Sequence, residues 1–150
     1  MSEKKRILLV DDANTMRGIL KSALMQGGYH DFVEADNGQR AIERLAEHRV
    51  DLILCDWDMP KMTGIEFLRH IRADEKLKNL PFILITANAH EKLVREAIAA
   101  EVDDYLIKPI RPDMLLRKVK AVFIKTRARN EPPQAGVNLD DAEVVETVTQ

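Results

Sequence analysis

The sequence predicts an α/β fold in which a five-stranded, doubly wound parallel sheet carries helices on both faces. Short apolar runs alternate with longer segments of helical periodicity along most of the chain. Three of these runs are apolar at every position, as expected of central parallel strands buried on both faces. Five successive strand–helix units favour a parallel sheet, because parallel neighbours are joined by right-handed crossovers.

The five predicted strands are short, and the second is the most mixed in composition, which suits a strand near an edge. They are Ile7–Val10, Phe32–Ala35, Leu52–Cys55, Phe82–Thr86 and Tyr105–Ile107. Each is followed by apolar residues at helical spacing, which we interpret as core positions. Gly27-Gly28 is expected to end the first helix, the Asn37-Gly38 turn to open the second, and Pro112 to begin the fifth.

Composition excludes several functional classes. The chain has 150 residues, 45% apolar and 32% charged, which suits one soluble domain. A net charge of −2 gives no general attraction to nucleic acid or membrane. Cys55 is the single cysteine, so an internal disulfide and a cysteine zinc site are excluded, and we expect it to be a buried thiol. The first apolar run is too short for a signal peptide or a membrane span, and we therefore expect a cytoplasmic protein.

Charge is distributed unevenly near the C-terminus. Residues 131–150 carry five acidic residues and no Lys or Arg, leaving 23 basic and 20 acidic residues in the rest of the chain. Pro132 and Pro133 should prevent a helix from continuing. We predict one domain over residues 1–127 and a mostly disordered acidic tail over 128–150. The basic stretch from Lys118 to Arg129 is interpreted as a solvated helix face.

Polar residues follow four of the predicted strands. Asp11-Asp12 follows the first strand, Asp56 the third and Lys108 the fifth, while Thr86 ends the fourth. A single Asp after a strand is usually a helix cap or turn residue, but capping does not explain all four strand ends. In open α/β sheets the ligand site lies beyond the carboxyl ends of the strands, so these groups should converge there.

The chemistry of these side chains indicates a metal-assisted phosphoryl transfer. Three adjacent carboxylates repel one another at neutral pH and therefore need a cation. Oxygen ligands without His or Cys favour a hard ion, and Mg²⁺ better than Ca²⁺. An aspartate beside such an ion and a lysine is suited to act as a phosphoryl acceptor, and Thr86 would donate a hydrogen bond to the phosphoryl group.

Motifs in the same order and spacing carry a family resemblance over about residues 5–125. They are Leu9-Val10-Asp11-Asp12 with Thr15-Met16-Arg17, Asp56-Trp57-Asp58-Met59-Pro60 with Met62 and Gly64, Ile71-Arg72-Ala73-Asp74, Thr86-Ala87, and Asp104-Tyr105-Leu106-Ile107-Lys108-Pro109. In these motifs the chain resembles the response-regulator receiver domain family of two-component signal transduction, in particular its CheY-like chemotaxis members.

The resemblance implies a role for each site residue. Asp56 would be the phospho-acceptor, taking its phosphoryl group from a histidine kinase, a phosphotransfer protein or a small donor such as acetyl phosphate. Asp12 and Asp56 would bind Mg²⁺ directly together with the backbone carbonyl of Asp58, and Asp11 through a water molecule. Lys108 would pair with the phosphoryl group.

The resemblance also implies a switch rather than an enzyme. Thr86 and Tyr105 would change position on phosphorylation, and the Lys108–Pro109 bond would be cis. The output surface for a downstream protein would be the fourth helix, fifth strand and fifth helix, roughly 91–99 and 105–123. We expect a monomer, with a phosphorylation-dependent dimer as an alternative, and no direct contact with nucleic acid.

Several positions depart from the family pattern. Glu101 replaces a glycine that commonly follows the fourth helix, and we expect that helix to end differently. Asp58 adds a fourth acidic side chain near the site. Asn88 lies at a position where the family varies its dephosphorylation rate.

Other functions are consistent with parts of the sequence. The chain would alternatively be the receiver part of a larger regulator, with the proline-bearing tail as a linker. Asp56-Trp57-Asp58 has the Asp-x-Asp spacing of haloacid dehalogenase-type phosphatases, but that motif belongs after the first strand. A flavodoxin-like cofactor carrier would need a phosphate-binding loop after the first strand, which this sequence lacks.

Overall fold

The computed structural model describes residues 4–88 and 90–130, in which five parallel strands form a single sheet. The strands are β1 Arg6–Val10, β2 Asp31–Ala35, β3 Leu52–Asp56, β4 Phe82–Thr86 and β5 Asp104–Ile107. Their order across the sheet is β2-β1-β3-β4-β5. The predicted fold class is confirmed, and the mixed second strand lies at an edge of the sheet.

A helix follows each strand, and the predicted boundary signals coincide with helix ends. The helices are α1 Asn14–Gln26, α2 Gly38–Glu47, α3 Gly64–Ala73, α4 Glu91–Ala99 and α5 Pro112–Asn130. Gly27 caps α1, and Gly28 has a φ of 91°, a left-handed conformation that glycine adopts without a Cβ penalty. The Asn37 side chain accepts a hydrogen bond from the Arg40 N–H and so caps α2.

The helices cover both faces of the sheet and create two apolar layers. One layer joins the sheet to α1 and α5, through residues that include Leu20, Leu24, Leu115, Val119 and Val122. The other joins it to α2, α3 and α4, through residues that include Ala41, Phe67, Leu68, Ile71 and Ala97. β3 and β4 are buried along their whole length. This rigid centre leaves the ends of the strands as the places where polar residues can gather.

A buried carboxylate ties the amino end of the sheet together. Asp103 directly precedes β5, and its side chain is 4% exposed. Its Oδ2 accepts a hydrogen bond from the Phe82 N–H at 2.9 Å and lies 3.1 Å from Arg72 Nη2 and 2.8 Å from Arg129 Nη2. The starts of β4 and β5 are thereby joined to the last residues of α3 and α5.

The basic stretch of α5 is therefore only partly a solvated face. Arg129 binds Asp103 through two nitrogens, and Lys118 lies 2.9 Å from the Asp104 carboxylate. The helix continues to Asn130, three residues beyond the predicted domain boundary at 127. Residues 131–150, which hold most of the predicted acidic tail, lie outside the described residues.

Within residues 4–88 and 90–130, none of the helices is long and apolar enough to cross a bilayer.

The expectation that α4 ends without a left-handed residue is wrong. Glu101 has a φ of 65°, and its N–H donates to the Ile98 carbonyl while the Val102 N–H donates to the Ala97 carbonyl. This pair of bonds is a Schellman motif, which normally places glycine at the left-handed position. Arg72 Nε also donates to the Glu101 carbonyl at 3.0 Å, so the surrounding structure holds this residue in an unfavourable conformation.

We predict that Asp103→Asn destabilises the protein by about 3 kcal/mol, because it leaves the Arg72 guanidinium, 10% exposed, without its buried anion. Urea unfolding at pH 7 measures this change. The matched control is Glu91→Gln, which removes an exposed pair with Arg95 and should cost at most about 0.5 kcal/mol. Equal effects of the two substitutions would contradict the structural role of Asp103.

We predict that Glu101→Gly stabilises the protein by roughly 0.5–1 kcal/mol, because relief of the left-handed strain exceeds the added entropy of the unfolded chain. Thermal and urea unfolding of the variant would detect this gain. Ala99→Gly, two residues earlier in the exposed last turn of α4, should instead lower stability by about 0.5–1 kcal/mol. A loss of stability in Glu101→Gly would show that the strain is absent.

Candidate functional site

Acidic residues converge at the carboxyl edge of the sheet because β1 and β3 are neighbours. Val10 and Cys55 are register partners, so the residues that follow them come together. Carboxylate oxygens of Asp11, Asp12 and Asp56 all lie within 4.8 Å of one another. Asp11 is 1% exposed and Asp56 4%, while Asp12 is exposed. The three side chains therefore lie close together, as the sequence predicted.

Lys108 approaches the cluster from β5. Its backbone N–H donates to the Thr86 carbonyl at 2.8 Å, which continues the pairing of β4 with β5. Its Nζ lies 3.0 Å from Asp56 Oδ1, with the lysine side chain 26% exposed. The Lys108–Pro109 peptide bond is cis, as the family resemblance implied. One cation therefore faces three carboxylates.

The Thr86 hydroxyl does not contact Asp56 in this conformation. Thr86 is 5% exposed, and its Oγ1 donates to the Asn88 carbonyl at 2.9 Å and accepts from the Asn88 N–H at 3.1 Å. Both bonds hold the loop that leads from β4 to α4. A hydroxyl has one proton, so donation to Asp56 would require Thr86 to give up its bond to the Asn88 carbonyl.

Tyr105 is half-buried on β5 and packs against the apolar layer under α2, α3 and α4. It is the register partner of Leu84, and Lys118 Nζ lies 5.4 Å from the centre of its ring. Tyr105 therefore lies on the strand beside that of Thr86, two residues before Ile107, which is the register partner of Thr86. Its role as a switch residue stays a prediction, because a switch requires a second conformation of the side chain.

The loop between β3 and α3 is shaped by close backbone packing. A Cβ on Gly64 would lie 2.5 Å from the Asp56 carbonyl oxygen, so a larger residue would displace the end of β3. The Met62 N–H donates to the Pro60 carbonyl at 2.8 Å, and Lys61 between them has a φ of 73°. This is a γ-turn of the rare, strained kind. Nothing in the sequence around Lys61 indicated it, since lysine has no preference for positive φ.

Asp58 belongs to the surroundings of the cluster rather than to its centre. The side chain is exposed, and the group of three close carboxylates found among the described residues does not include it. Its negative charge nevertheless contributes to raising the pKa of Asp56. A metal contact through its backbone carbonyl stays a prediction.

Burial and mutual repulsion favour protonation of the acidic cluster. Burial raises the pKa of Asp56, and the charges of Asp11 and Asp58 add to this effect, while Lys108 opposes it. The pKa of Asp11 is also raised, again mainly by burial. Burial lowers the pKa of Lys108, but its ion pair with Asp56 outweighs this, so the net shift is upward. The lysine remains charged at neutral pH.

Two buried oxygens test whether these residues suit a divalent cation. Within the described part of the chain, Asp11 Oδ2 and Asp56 Oδ1 have no hydrogen-bond partner, although Oδ1 forms the ion pair with Lys108. Buried carboxylate oxygens rarely lack partners, and a bound cation would satisfy both. An all-oxygen donor set with no His or Cys fits a hard ion such as Mg²⁺. The residues present therefore fit this metal.

Cys55 lies beside the site but takes no part in its chemistry. It is fully buried, and burial raises the pKa of its thiol well above the ordinary value. A thiol in this environment is inert, and the prediction of a buried structural cysteine is confirmed.

We predict that Asp11→Asn raises the free energy of unfolding at pH 7 when divalent ions are chelated. The raised pKa means that ionised Asp11 is less favourable in the folded than in the unfolded chain. Its destabilising effect is absent below pH 3.8, the ordinary value, and grows as pH rises through the folded pKa. Unfolding by urea at pH 7 and at pH 3, with a chelator throughout, measures this difference.

Addition of Mg²⁺ supplies the control for this prediction. It should stabilise the native protein more than the Asp11→Asn variant, because the ion binds the folded carboxylates. A variant that is less stable than the native protein at pH 7 in chelator would contradict the proposed electrostatic cost.

Comparison with known families gives one consistent result. Residues 7–120 match the family model of the response regulator receiver domain. The chain is 42% identical over 118 residues to the chemotaxis protein CheY of Pseudomonas aeruginosa, covering 79% of this chain and 95% of that protein. It is 41% identical over 123 residues to chemotaxis protein CheY-3 of Vibrio cholerae, covering 82% and 95%.

Solved structures show the same fold. The chemotaxis protein CheY4 of Vibrio cholerae aligns with a TM-score of 0.75 at 29% identity, covering 80% of this chain and 99% of that one. The signal receiver domain of a signal transduction histidine kinase from Syntrophus aciditrophicus aligns with a TM-score of 0.75 at 29% identity, covering 89% and 99%.

Proposed function

The chain belongs to the response regulator receiver domain family and is a two-component response regulator, and from this premise we propose that Asp56 is its phospho-acceptor. One observation carries the proposal. A carboxylate that is 4% exposed lies 3.0 Å from a lysine ammonium and within 4.8 Å of two further carboxylates. This arrangement supports a nucleophilic oxygen placed beside the charges that phosphoryl transfer requires.

The proposed reaction moves a phosphoryl group between two side chains. A carboxylate oxygen of Asp56 attacks the phosphorus of a phosphohistidine or of acetyl phosphate and forms a new P–O bond. The P–N bond to histidine, or the P–O bond to acetate, breaks, and the leaving group takes the electron pair. The ammonium of Lys108, already paired with Asp56, offsets the charge on the phosphoryl oxygens.

We propose that Mg²⁺ is held by Asp11, Asp12 and Asp56, with the backbone carbonyl of Asp58 as a further ligand. The buried oxygens of Asp11 and Asp56 that lack hydrogen bonds support this assignment. When bound, the ion supplies positive charge that offsets the repulsion among the carboxylates and the incoming phosphoryl group. The three side chains contribute by holding their carboxylate oxygens within 4.8 Å of one another.

Phosphorylation would act as a switch through Thr86 and Tyr105. A phosphoryl group on Asp56 offers acceptors to the Thr86 hydroxyl, which would then leave its two hydrogen bonds with Asn88. The loop after β4 would shift with it, and Tyr105 would move inward. The output surface proposed on α4, β5 and α5 contains exposed apolar residues, Ile98 at 64% and Ile107 at 48%, which suit a protein target.

The protein is a phosphorylation switch of this family rather than an enzyme in the usual sense. We propose that it promotes its own phosphorylation and the hydrolysis of its acyl phosphate, with Asp58 and Asn88 influencing the lifetime. Its partners would be a sensor histidine kinase or phosphotransfer protein and a downstream protein target, in a cytoplasmic setting. A monomer is the proposed state, with dimerisation on phosphorylation as the alternative outcome of a sizing experiment.

The relatives favour signalling through this domain's own surface. The CheY proteins of Pseudomonas and Vibrio are matched over 95% of their length and are named chemotaxis proteins. We therefore propose a role in motility control, with residues 1–127 as the switch and the acidic residues 128–150 as a tail or linker. The phosphatase and flavodoxin-like alternatives gain no support, because the family match spans residues 7–120.

We predict that acetyl phosphate with Mg²⁺ labels the native protein at one site and changes the fluorescence of Trp57, the single tryptophan. Asp56→Asn should abolish both effects, because the nucleophilic oxygen is lost. Phosphate-affinity electrophoresis and fluorescence measure the two responses. Asp36→Asn, on the exposed loop after β2, is the matched control and should be labelled normally.

The Lys108→Ala variant separates phosphoryl transfer to Asp56 from binding of the downstream target. This variant should retain labelling better than it retains binding to a downstream target, measured by capture of the target with and without a phosphoryl mimic. Undiminished labelling of Asp56→Asn would exclude Asp56 as the acceptor. Continuous turnover of a phosphomonoester by the native protein would instead favour a phosphatase.

A further inference from the structure

Arg17 on α1 lies outside the acidic cluster but binds the backbone that carries it. Its Nη1 donates to the Asp11 carbonyl, its Nε to Glu34 Oε1 at 2.8 Å and its Nη2 to Asn14 Oδ1 at 3.0 Å. All three guanidinium nitrogens therefore have an acceptor, and the side chain is 14% exposed. A planar guanidinium with fixed donor directions holds its acceptors in a defined geometry.

Glu34 fixes the other side of this arrangement. It lies on the edge strand β2 as the register partner of Leu9, two residues before Asp11. Its Oε2 lies 2.7 Å from Lys21 Nζ, and its backbone carbonyl accepts from Arg44 Nε at 3.1 Å. Hydrogen bonds from Lys21 and Arg17 lower the pKa of Glu34, so it is ionised and can hold Arg17 at neutral pH.

The contacts of Asp11 leave one of its carboxylate oxygens without a hydrogen bond. The Asp11 N–H donates to the Ala35 carbonyl at 3.1 Å, and Oδ1 accepts from the Ala13 N–H at 2.9 Å. Arg17 occupies the carbonyl oxygen, and Oδ2 is the buried oxygen without a hydrogen bond. The peptide between Asp11 and Asp12 is thus held in one orientation, and it sets where both carboxylates point.

We infer that Arg17, held in place by Glu34, is a positioning residue that orients Asp11 and Asp12 and thereby sets the affinity of the acidic cluster for Mg²⁺. The inference rests on the proposed function in taking Mg²⁺ as the ion. Partners that orient metal ligands without touching the metal commonly matter as much as the ligands.

The sign of the effect separates positioning from simple charge. Removal of a cation near three carboxylates should strengthen Mg²⁺ binding if only the electrostatic field matters. Positioning predicts the opposite, because a freed peptide lets the carboxylates turn away. Lys21 provides the matched comparison, since it binds the same Glu34 carboxylate while Arg17 binds the Asp11 carbonyl.

The experiment is a calorimetric titration with Mg²⁺ of the native protein and four variants. Arg17→Gln and Arg17→Lys should each weaken binding by on the order of tenfold, because a lysine ammonium cannot reproduce the three-way contact. Glu34→Gln should weaken binding in the same direction, and Lys21→Gln should change it by less than about twofold. At saturating Mg²⁺, labelling of Asp56 by acetyl phosphate should return to within about twofold of the native rate.

Each outcome has a defined meaning. If the native protein binds Mg²⁺ and the Arg17 variants bind it equally or more tightly, the positioning role is overturned while the proposed function stands. If Arg17→Lys retains native affinity, charge rather than geometry is responsible, and the inference also fails. If the native protein binds no Mg²⁺, the proposed metal site itself fails. Urea unfolding identifies any variant that does not fold, and Glu34→Gln, which preserves side-chain size, then carries the test.

Discussion

Three carboxylates within 4.8 Å of one another repel, and the surrounding structure holds them together against this repulsion. The sheet supplies the rigidity, because β1 and β3 are buried neighbours whose ends cannot separate. Lys108 supplies one positive charge at 3.0 Å from Asp56, which is too little to neutralise the group. The cluster therefore keeps an excess of negative charge, on which the proposed binding of a divalent ion and of a phosphoryl group depends.

Backbone geometry holds this unfavourable arrangement in place. Gly64 permits α3 to begin within contact distance of the Asp56 carbonyl, and the strained turn at Lys61 closes the loop between them. Arg17 and Glu34 hold the first acidic pair from the opposite side. A site whose side chains repel one another needs rigid surroundings, because a flexible backbone would let the charges move apart.

The two ends of the sheet use the same kinds of residue for different purposes. At the amino end, Asp103 is surrounded by Arg72, Arg129 and the Phe82 N–H, so its charge is fully compensated and it contributes to stability. At the carboxyl end, Asp11 and Asp56 retain buried oxygens without hydrogen bonds. The first carboxylate is structural because its charge is compensated, and a bound cation would satisfy the buried oxygens of the other two. Thr86 adds a hydroxyl that is bonded to the backbone of Asn88 in this conformation.

Sequence alone determined the fold class, the edge position of the second strand, the helix ends at Gly27 and Pro112, and the residues that meet at the carboxyl edge. It did so because strand order, burial and strand-end position follow from local periodicity and from the rules of parallel sheets. Only the tertiary structure decided the rest. Glu101 adopts a left-handed conformation against its own preference because Arg72 and the end of α4 hold its backbone. Arg129 binds Asp103, 26 residues away, and Arg17 binds both Glu34 and Asp11. Most of these contacts join residues that are far apart along the chain, and no local pattern encodes their directions.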